Sequence, residues 1–324
     1  MSTLPDLILI LSKMDKIDQK MFKELDINPR IPLSNLAKKL RISQQVADYR
    51  LKRMLEKGQI TKLAALINLK ALGLEHYRVF LNLSSKEYSP TELFDYLKQK
   101  KGVYWAARIG GKYDLHLVLF VKDFEEFDRF IDDFNHKFPR LIKNIHSEYV
   151  IDHLIYKHKF YSQDYSKIAY GYNDKIKEID ELDNYILDKI KDNCRISSLE
   201  LSKETKVSYK TISNRIKRLE KENIILGYRL FIKSENEKPF LVLFSFKNYS
   251  KKNEKDLISY LEQKDSVTQT LRLFGVWNLY LHIRIEDNEK LQNFIMDIRN
   301  KFDIIDEYEI IPIFQDISIN LLPI

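Results

Sequence analysis

Two stretches of helical pattern, Ser43 to Lys57 and Ser208 to Glu222, carry side chains able to read the edge of a base pair. In the first, Val46, Ala47, Leu51 and Met54 recur at helical spacing and are expected inside, which leaves Gln44, Gln45, Asp48, Tyr49 and Lys52 outside. In the second, Thr211, Ile212, Ile216 and Leu219 are expected inside, and Tyr209, Lys210, Ser213, Asn214 and Lys217 outside. Gln and Asn can make two hydrogen bonds to adenine, Lys can donate to guanine, and Asp can accept from cytosine. The competing reading is that these are solvated helix positions with no partner. Arg50 and Arg215 fall late in the two helices, where each could meet a phosphate or brace the fold through an acidic neighbour. Double-stranded DNA is the expected partner.

The elements that would position these residues occur twice. Asp18, Arg30, Ile31, Leu36, Lys38, Ser43, Arg50, Lys52, Arg53 and Ile60 recur at one constant offset as Asp183, Arg195, Ile196, Leu201, Lys203, Ser208, Arg215, Lys217, Arg218 and Ile225. Ile17, Met21, Phe22 and Leu25 give one helical face that Asn28-Pro29 stops, and Ser34 is placed to cap a short helix carrying Leu36, Ala37 and Leu40. A tight turn at Arg41-Ile42 leads to the N-cap Ser43, Gly58 ends the reading helix, and Ile60 to Leu69 reads as the strands of a wing. The second copy repeats the scheme, with its wing at Ile224 to Ile232. The pattern predicts two winged helix-turn-helix domains, at 14–70 and 179–233.

Each is followed by a strand, helix, strand, strand, helix, strand order, which predicts ferredoxin-like domains at 71–161 and 234–324 and an α+β class for the chain. In the first, strands are expected at Tyr77 to Leu83, Val103 to Ile109, Tyr113 to Val121 and Ile142 to Ile155, with helices at Thr91 to Lys100 and Phe124 to Phe138. A sheet covered on one side should alternate apolar and polar residues, yet Leu115, Leu117, Leu119 and Val121 alternate with His116, Val118 and Phe120. The outer face is too apolar to stay wet, so the sheets are expected to pack on each other or on a second chain. The stretch 162–178, rich in Tyr, Asp, Lys and Ser and without an apolar period, reads as a linker.

With 324 residues, 44% of them hydrophobic, the chain can build several cores. A formal net charge of +7 favours an acidic partner, and it is uneven, at about +6 for Asp15 to Lys62 and about +1 for Asp180 to Gly227. Cys194 is the single cysteine, which excludes an intrachain disulfide and a thiolate metal cluster and suits a cytoplasmic setting. The apolar run Leu7 to Leu11 is too short for a membrane span and reads as local packing. No metal or cofactor is expected. Paired-histidine metal spacing, a glycine-rich phosphate loop and a serine nucleophile elbow do not occur in the sequence.

The run from Asp15-Lys16-Ile17-Asp18 through Arg30-Ile31, Leu36-Ala37, Ile42-Ser43 and Arg50-Leu51-Lys52-Arg53, with Ile67-Asn68 and Leu72-Gly73, resembles the Lrp/AsnC (feast/famine) transcription regulators. Gly111-Lys112-Tyr113-Asp114-Leu115 resembles that family's glycine-x-aromatic-aspartate signature, and Gly275-Val276-Trp277-Asn278-Leu279 stands in its place in the second copy. The resemblance implies a DNA-binding regulator whose ferredoxin-like domains pair through their sheets and, in many members, bind an amino acid or similar metabolite. By position the effector residues would be Gly111, Tyr113, Asp114, Gly275, Trp277 and Asn278, against the alternative that both loops are turns needing a glycine and a packed aromatic. The expected role is a sequence-specific regulator acting as a single-chain pseudo-dimer on an asymmetric pair of half-sites, and not an enzyme. Two alternatives stand beside it. The same architecture resembles siroheme decarboxylases, which need histidine and arginine in the ligand domain, for which His116, His146, His153 and His158 are available. The other is an architectural DNA-binding protein with no effector.

Overall fold

The computed structural model describes residues 15–84, 88–157, 166–171, 173–232 and 238–324. The Leu7 to Leu11 run and His158 lie outside the described residues. The chain is α+β, and its contacts divide it into two compact units that cut across the repeat: the helix-turn-helix elements of both copies form one, and the sheet elements of both copies the other.

In the first unit, α1 (Lys16–Ile27), α2 (Leu33–Leu40), α3 (Gln44–Glu56) and β1 (Ile60–Ile67) make the first copy. Asp15 caps α1, Ser43 caps α3, and Arg41 takes the left-handed conformation that closes α2. Ser34 is not a cap: it lies inside α2, whose N-cap position is Pro32. Met21, Phe22, Leu25, Leu36, Ala47 and Met54 form the buried centre, as the helical spacing requires.

The wings depart from expectation. Among the described residues each copy supplies a single strand, and β1 pairs antiparallel with the second copy's strand at Ile225–Ile232, Leu63 lying opposite Leu230. A lone strand leaves its peptide groups unpaired, and here the other copy satisfies them. Leu230 and Cys194 of the second copy are buried in the core of the first. Arg195 donates to the Pro29 carbonyl at 2.8 Å, and Arg30 to the Tyr228 hydroxyl at 2.8 Å.

In the second unit the chain runs β2 (Glu75–Leu83), α4 (Pro90–Gln99), β3 (Val103–Ile109), β4 (Leu115–Val121), α5 (Phe124–Lys137), β5 (Ile142–Tyr156) and β6 (Lys167–Gly171). The first unit takes up the chain again with α6 (Glu181–Ile190), α7 (Ser198–Thr205), α8 (Tyr209–Lys221) and the strand at Ile225–Ile232, which is β7. The second sheet copy follows as β8 (Lys238–Phe246), α9 (Lys251–Leu261), β9 (Val267–Phe274), β10 (Leu279–Ile285), α10 (Asn288–Lys301) and β11 (Ile305–Ile319). Both copies keep the strand-helix-strand-strand-helix-strand order, and Tyr113 and Asp114 fall in the turn before β4 rather than in the strand. The stretch expected as a linker contributes β6, which pairs beside β5.

The strands run β2-β4-β3-β11-β8-β10-β9-β5-β6, and a β2–β5 pairing closes all but β6 into a ring. The two long strands make the closure. β5 pairs with β2 through its first half and with β9 through its second, while β11 pairs first with β8 and then with β3. On β2 and β4, Val79, Leu81, Leu115, Leu117 and Leu119 face the helices, together with Phe127, Phe130 and Phe134. On the opposite faces, Phe80, Ala107 and Ile109 of the first copy share one core with Leu241, Leu243, Leu271, Tyr280 and Ile311 of the second. The apolar outer faces are therefore covered by each other within the chain.

Candidate functional site

Strand alternation sorts β2 into two sets. Tyr77, Val79 and Leu81 go to the helix-covered core, and His76, Arg78 and Phe80 go between the sheets. By the same rule β4 sends His116, Val118 and Phe120 inward. A patch of ionisable groups is thereby placed inside an apolar core. His76 is 1% exposed, Arg78 4%, and His116 and Tyr280 are fully buried.

Arg78 is the permanently charged group of this patch, and its surroundings are incomplete. Its guanidinium lies over the Tyr280 ring at 4.7 Å and makes a long 3.4 Å bond to the Tyr280 hydroxyl, and its Nε has no acceptor. Among the described residues no carboxylate comes within 4.0 Å to form an ion pair with it. Glu148 is its cross-strand neighbour, but that carboxylate accepts from the Trp277 amide at 3.0 Å and bonds His146 at 2.7 Å instead. A buried charge without a partner costs several kcal/mol or more, so the fold maintains this guanidinium at the expense of stability.

His76 and His116 flank it with both ring nitrogens of each lacking a partner among the described residues. His76 stacks on Phe120 at 4.2 Å, and His116 lies 4.5 Å from Phe80, 5.1 Å from Trp105 and 5.9 Å from the Tyr280 ring. Burial, aided by the charge of Arg78, pushes both imidazoles well below their ordinary range, so they are neutral near pH 7. Burial also raises the Tyr280 hydroxyl to about 12, which keeps it a hydrogen-bond donor.

The patch continues to either side. His153 bonds the Tyr170 hydroxyl at 2.7 Å and Gln269 at 2.9 Å, and its ring lies 5.8 Å from that of His76. Tyr170 comes from β6, so the supposed linker supplies a wall of the site, and burial holds its hydroxyl protonated. Beyond His116, His282 bonds the Thr268 hydroxyl at 2.6 Å. Neutral imidazoles around a lone guanidinium suit an anion that arrives with its own charge. Among the described residues no cluster of three or more His, Cys, Asp or Glu is arranged to hold a metal.

Sequence reasoning named His116, His146 and His153 as available, and the structure buries His116 and His153 in this patch; His146 sits half-buried at its edge, bonded to Glu148. It missed His76, Arg78, Tyr170 and Tyr280. The usable signal was the inward register of β2, in which His76 and Arg78 alternate with Tyr77 and Val79.

The helix-turn-helix residues fall as follows. Gln44, Gln45 and Lys52 are exposed on α3, Tyr49 is 64% exposed, and Asp48 pairs with Lys52 at 2.8 Å. On α8, Lys210, Asn214 and Lys217 are exposed, Tyr209 is 62% exposed, and Ser213 is half-buried. Val46 and Thr211, expected inside, are exposed, because the first turn of each helix projects beyond the bundle. Ser43 and Ser208 accept from the Val46 and Thr211 amides. Arg50 ion-pairs with Asp15 and, at 2.7 Å, with the buried Asp18; Arg215 repeats this with Asp180 at 2.5 Å and Asp183 at 3.2 Å. Both arginines brace their helix bundles.

In the two effector-type loops, the Asp114 carboxylate accepts from the Leu83 amide at 2.8 Å and the Asn278 side chain from the Phe246 amide at 2.7 Å. Asn278 thus keeps the acceptor that Asp114 supplies. Gly111 adopts a left-handed φ of 80°, Tyr113 is buried against Phe80, and a Cβ on Gly275 would overlap the Glu148 carboxylate. Trp277 is buried, with its amide on Glu148.

A family model described as winged helix-turn-helix DNA-binding matches residues 14–61 and 179–225. An uncharacterised HTH-type transcriptional regulator of Pyrococcus horikoshii is 31% identical over 122 residues, covering 37% of this chain and 81% of that protein. The HTH-type transcriptional regulator Ptr1 of Methanocaldococcus jannaschii is 32% identical over 118 residues, covering 36% and 79%. Crystal structures of the siroheme decarboxylase NirDL, free and with an iron-uroporphyrin III analogue, superpose over 94% of this chain and 93% of their own, with TM-scores of 0.67 and 0.68 at 12% identity. The expectation that the chain is not an enzyme is corrected by that match: the fold shared over nearly the whole chain is one a decarboxylase uses. No helix among the described residues is long and apolar enough to cross a membrane.

Proposed function

Because this chain belongs to the Lrp/AsnC family, in a form that carries the helix-turn-helix twice, we propose that its sheet unit is a decarboxylase of siroheme-like, polycarboxylated iron tetrapyrroles. The observation that carries this reading is Arg78, a buried guanidinium that, among the described residues, has no carboxylate of its own and lies between two imidazoles whose nitrogens have no partner. A ligand carboxylate completes its hydrogen bonds and offsets its desolvation. In the reaction the C–C bond to a side-chain carboxylate breaks, CO2 leaves, and the electron pair left on the methylene carbon takes a proton, giving a methyl group.

Each residue then has a task. Arg78 anchors a carboxylate next to the one that leaves, since tight pairing with the departing group itself would stabilise the ground state. The apolar walls, Phe80, Phe120 and Trp105, exclude water from the departing carboxylate. His76 and His116 wait neutral; an arriving anion raises their proton affinity, so the substrate converts them into the acids that deliver the proton. Incubating the protein anaerobically with siroheme and reading the product by mass spectrometry tests the proposal. Loss of the mass of CO2 is expected, and recovery of unchanged siroheme would reject it.

DNA binding by the helix-turn-helix unit is a second reading, favoured by the matched DNA-binding model and by exposed Gln44, Gln45, Lys210 and Asn214. In it α3 and α8 read unlike half-sites. Selection of bound sequences from random DNA tests it; recovery of perfect palindromes would speak against two different readers in one chain.

A further inference from the structure

The two reading helices carry charge in the opposite sense to the copies that hold them. The first copy has the larger positive surplus, at about +6 against about +1, yet most of it lies off α3. Lys16, Lys20, Lys23, Lys38 and Lys39 stand on α1 and α2. On α3 itself two acids, Asp48 and Glu56, face one lysine, Lys52. On α8 one acid, Glu220, faces three lysines, Lys210, Lys217 and Lys221. The arginines leave the comparison unchanged, since Arg50 and Arg53 are held by Asp18 as Arg215 and Arg218 are by Asp183. The contrast repeats along the outward stripe. A spacing of four puts Gln44, Asp48 and Lys52 in line on α3, and the repeat offset makes Tyr209, Ser213 and Lys217 their counterparts on α8. The Lys52 ammonium lies 2.8 Å from the Asp48 carboxylate. Lys217 has Ser213 at that place, and among the described residues neither Lys217 nor Lys210 has a carboxylate within 4.0 Å. Glu220 is occupied elsewhere: it accepts from the Tyr228 hydroxyl and lies 3.7 Å from Arg30.

We infer that on DNA the second copy grips and the first selects, and that Asp48 sets this division. This rests on the DNA-binding reading above and is independent of the chemistry of the sheet unit. An exposed pair four residues apart is weak, so a phosphate can draw Lys52 away, but doing so leaves Asp48 uncompensated beside a polyanion. The stripe of α3 therefore adds no net charge to the contact with the backbone. What it offers is hydrogen bonding: Gln44 and Gln45 suit adenine, and the Asp48 carboxylate can accept from a cytosine amine, a base group that compensates it where phosphate repels it. On α8 the lysine charge is uncancelled and acts on the phosphates of any sequence.

Anisotropy titrations of the full-length chain on a labelled random-sequence duplex, repeated between about 50 and 200 mM salt, test the division. Asp48→Ser, which gives α3 the residue that α8 has, should tighten binding and steepen the dependence of log K on log salt by about 0.9, so that the gain is roughly threefold larger at the low end. Adding Lys52→Ala to it should return the slope to that of the parent. Ser213→Asp and, separately, Lys217→Ala should each make the slope shallower by about 0.9. In sites selected from random DNA, Asp48→Ser should relax the preference at the half-site under α3 and keep that under α8. An affinity for random DNA unchanged or lowered by Asp48→Ser, or a parental slope in Lys217→Ala, would overturn the division while leaving DNA binding in place. Absence of binding by the parent chain to any duplex would overturn both.

Discussion

Replacing Arg78 by Met should make the protein more stable while removing its ligand site. Arg78 is 4% exposed and without an ion pair among the described residues, so the folded state carries a desolvation penalty of several kcal/mol for it. The methionine keeps most of the volume and forfeits the contact with the Tyr280 ring, worth about 2 kcal/mol when desolvated. The balance is a gain of roughly 1 to 3 kcal/mol, within the range seen when buried ions give way to packed apolar groups. At about 2 to 4 °C per kcal/mol for a unit of this size, the melting temperature should rise by several degrees. Urea unfolding near pH 7.5 followed by tryptophan fluorescence is the suitable assay, because Trp105 and Trp277 both lie in the sheet unit. A variant less stable than the parent by about 1 kcal/mol or more would refute the reasoning, since it would show that the fold already compensates Arg78 and leaves nothing for a ligand to supply.

Further outcomes follow from neighbouring groups. His76 and His116 are held well below the ordinary imidazole range when folded, so the unfolded chain binds more protons and stability falls as the pH drops below about 6.5. Substituting His116→Gln should remove about 1.4 kcal/mol per pH unit from that slope, measured as urea midpoints between about pH 5 and 7; an unchanged slope would show that His116 is protonated in the folded state. Ligand binding near neutral pH should take up protons, which calorimetry in buffers of different ionisation enthalpy would register, and zero uptake would contradict the acid role of the two imidazoles. Arg50→Ala should destabilise the helix-turn-helix unit by roughly 1 to 3 kcal/mol through Asp18, in thermal or urea unfolding without DNA. Unaltered stability with weakened DNA binding would make Arg50 a phosphate contact instead. Gly275→Ala should cost about 1 to 3 kcal/mol because its Cβ overlaps Glu148; wild-type stability in Gly275→Ala would place the Glu148 carboxylate elsewhere.

The helical parts of the chain were legible because their signals are local. Ser43, Gly58 and the spacing of Met21, Phe22 and Leu25 each report on a neighbour within a few residues, and the offset to Ser208 and Arg215 doubles the signal. The facing of the sheets was legible in Val118 and Phe120, which no solvent-exposed face would carry. The wing pairing was not, because β1 finds its partner in β7, far along the chain, and nothing in Ile60 to Leu69 distinguishes a strand paired with its own hairpin from one paired with the other copy. The site was hidden for the same reason. Arg78 and Tyr280 meet from strands of different copies, and Tyr170 arrives on a short strand without apolar alternation. Arg50 and Arg215 could be assigned only when Asp18 and Asp183 were placed beneath them.

The most direct test is the structure of this chain with iron uroporphyrin III bound. A ligand carboxylate is expected within hydrogen-bond distance of the Arg78 guanidinium, with a neighbouring side-chain methylene within reach of His76 or His116. A macrocycle bound elsewhere on the protein, with Arg78 still lying over Tyr280 and no anion beside it, would contradict it.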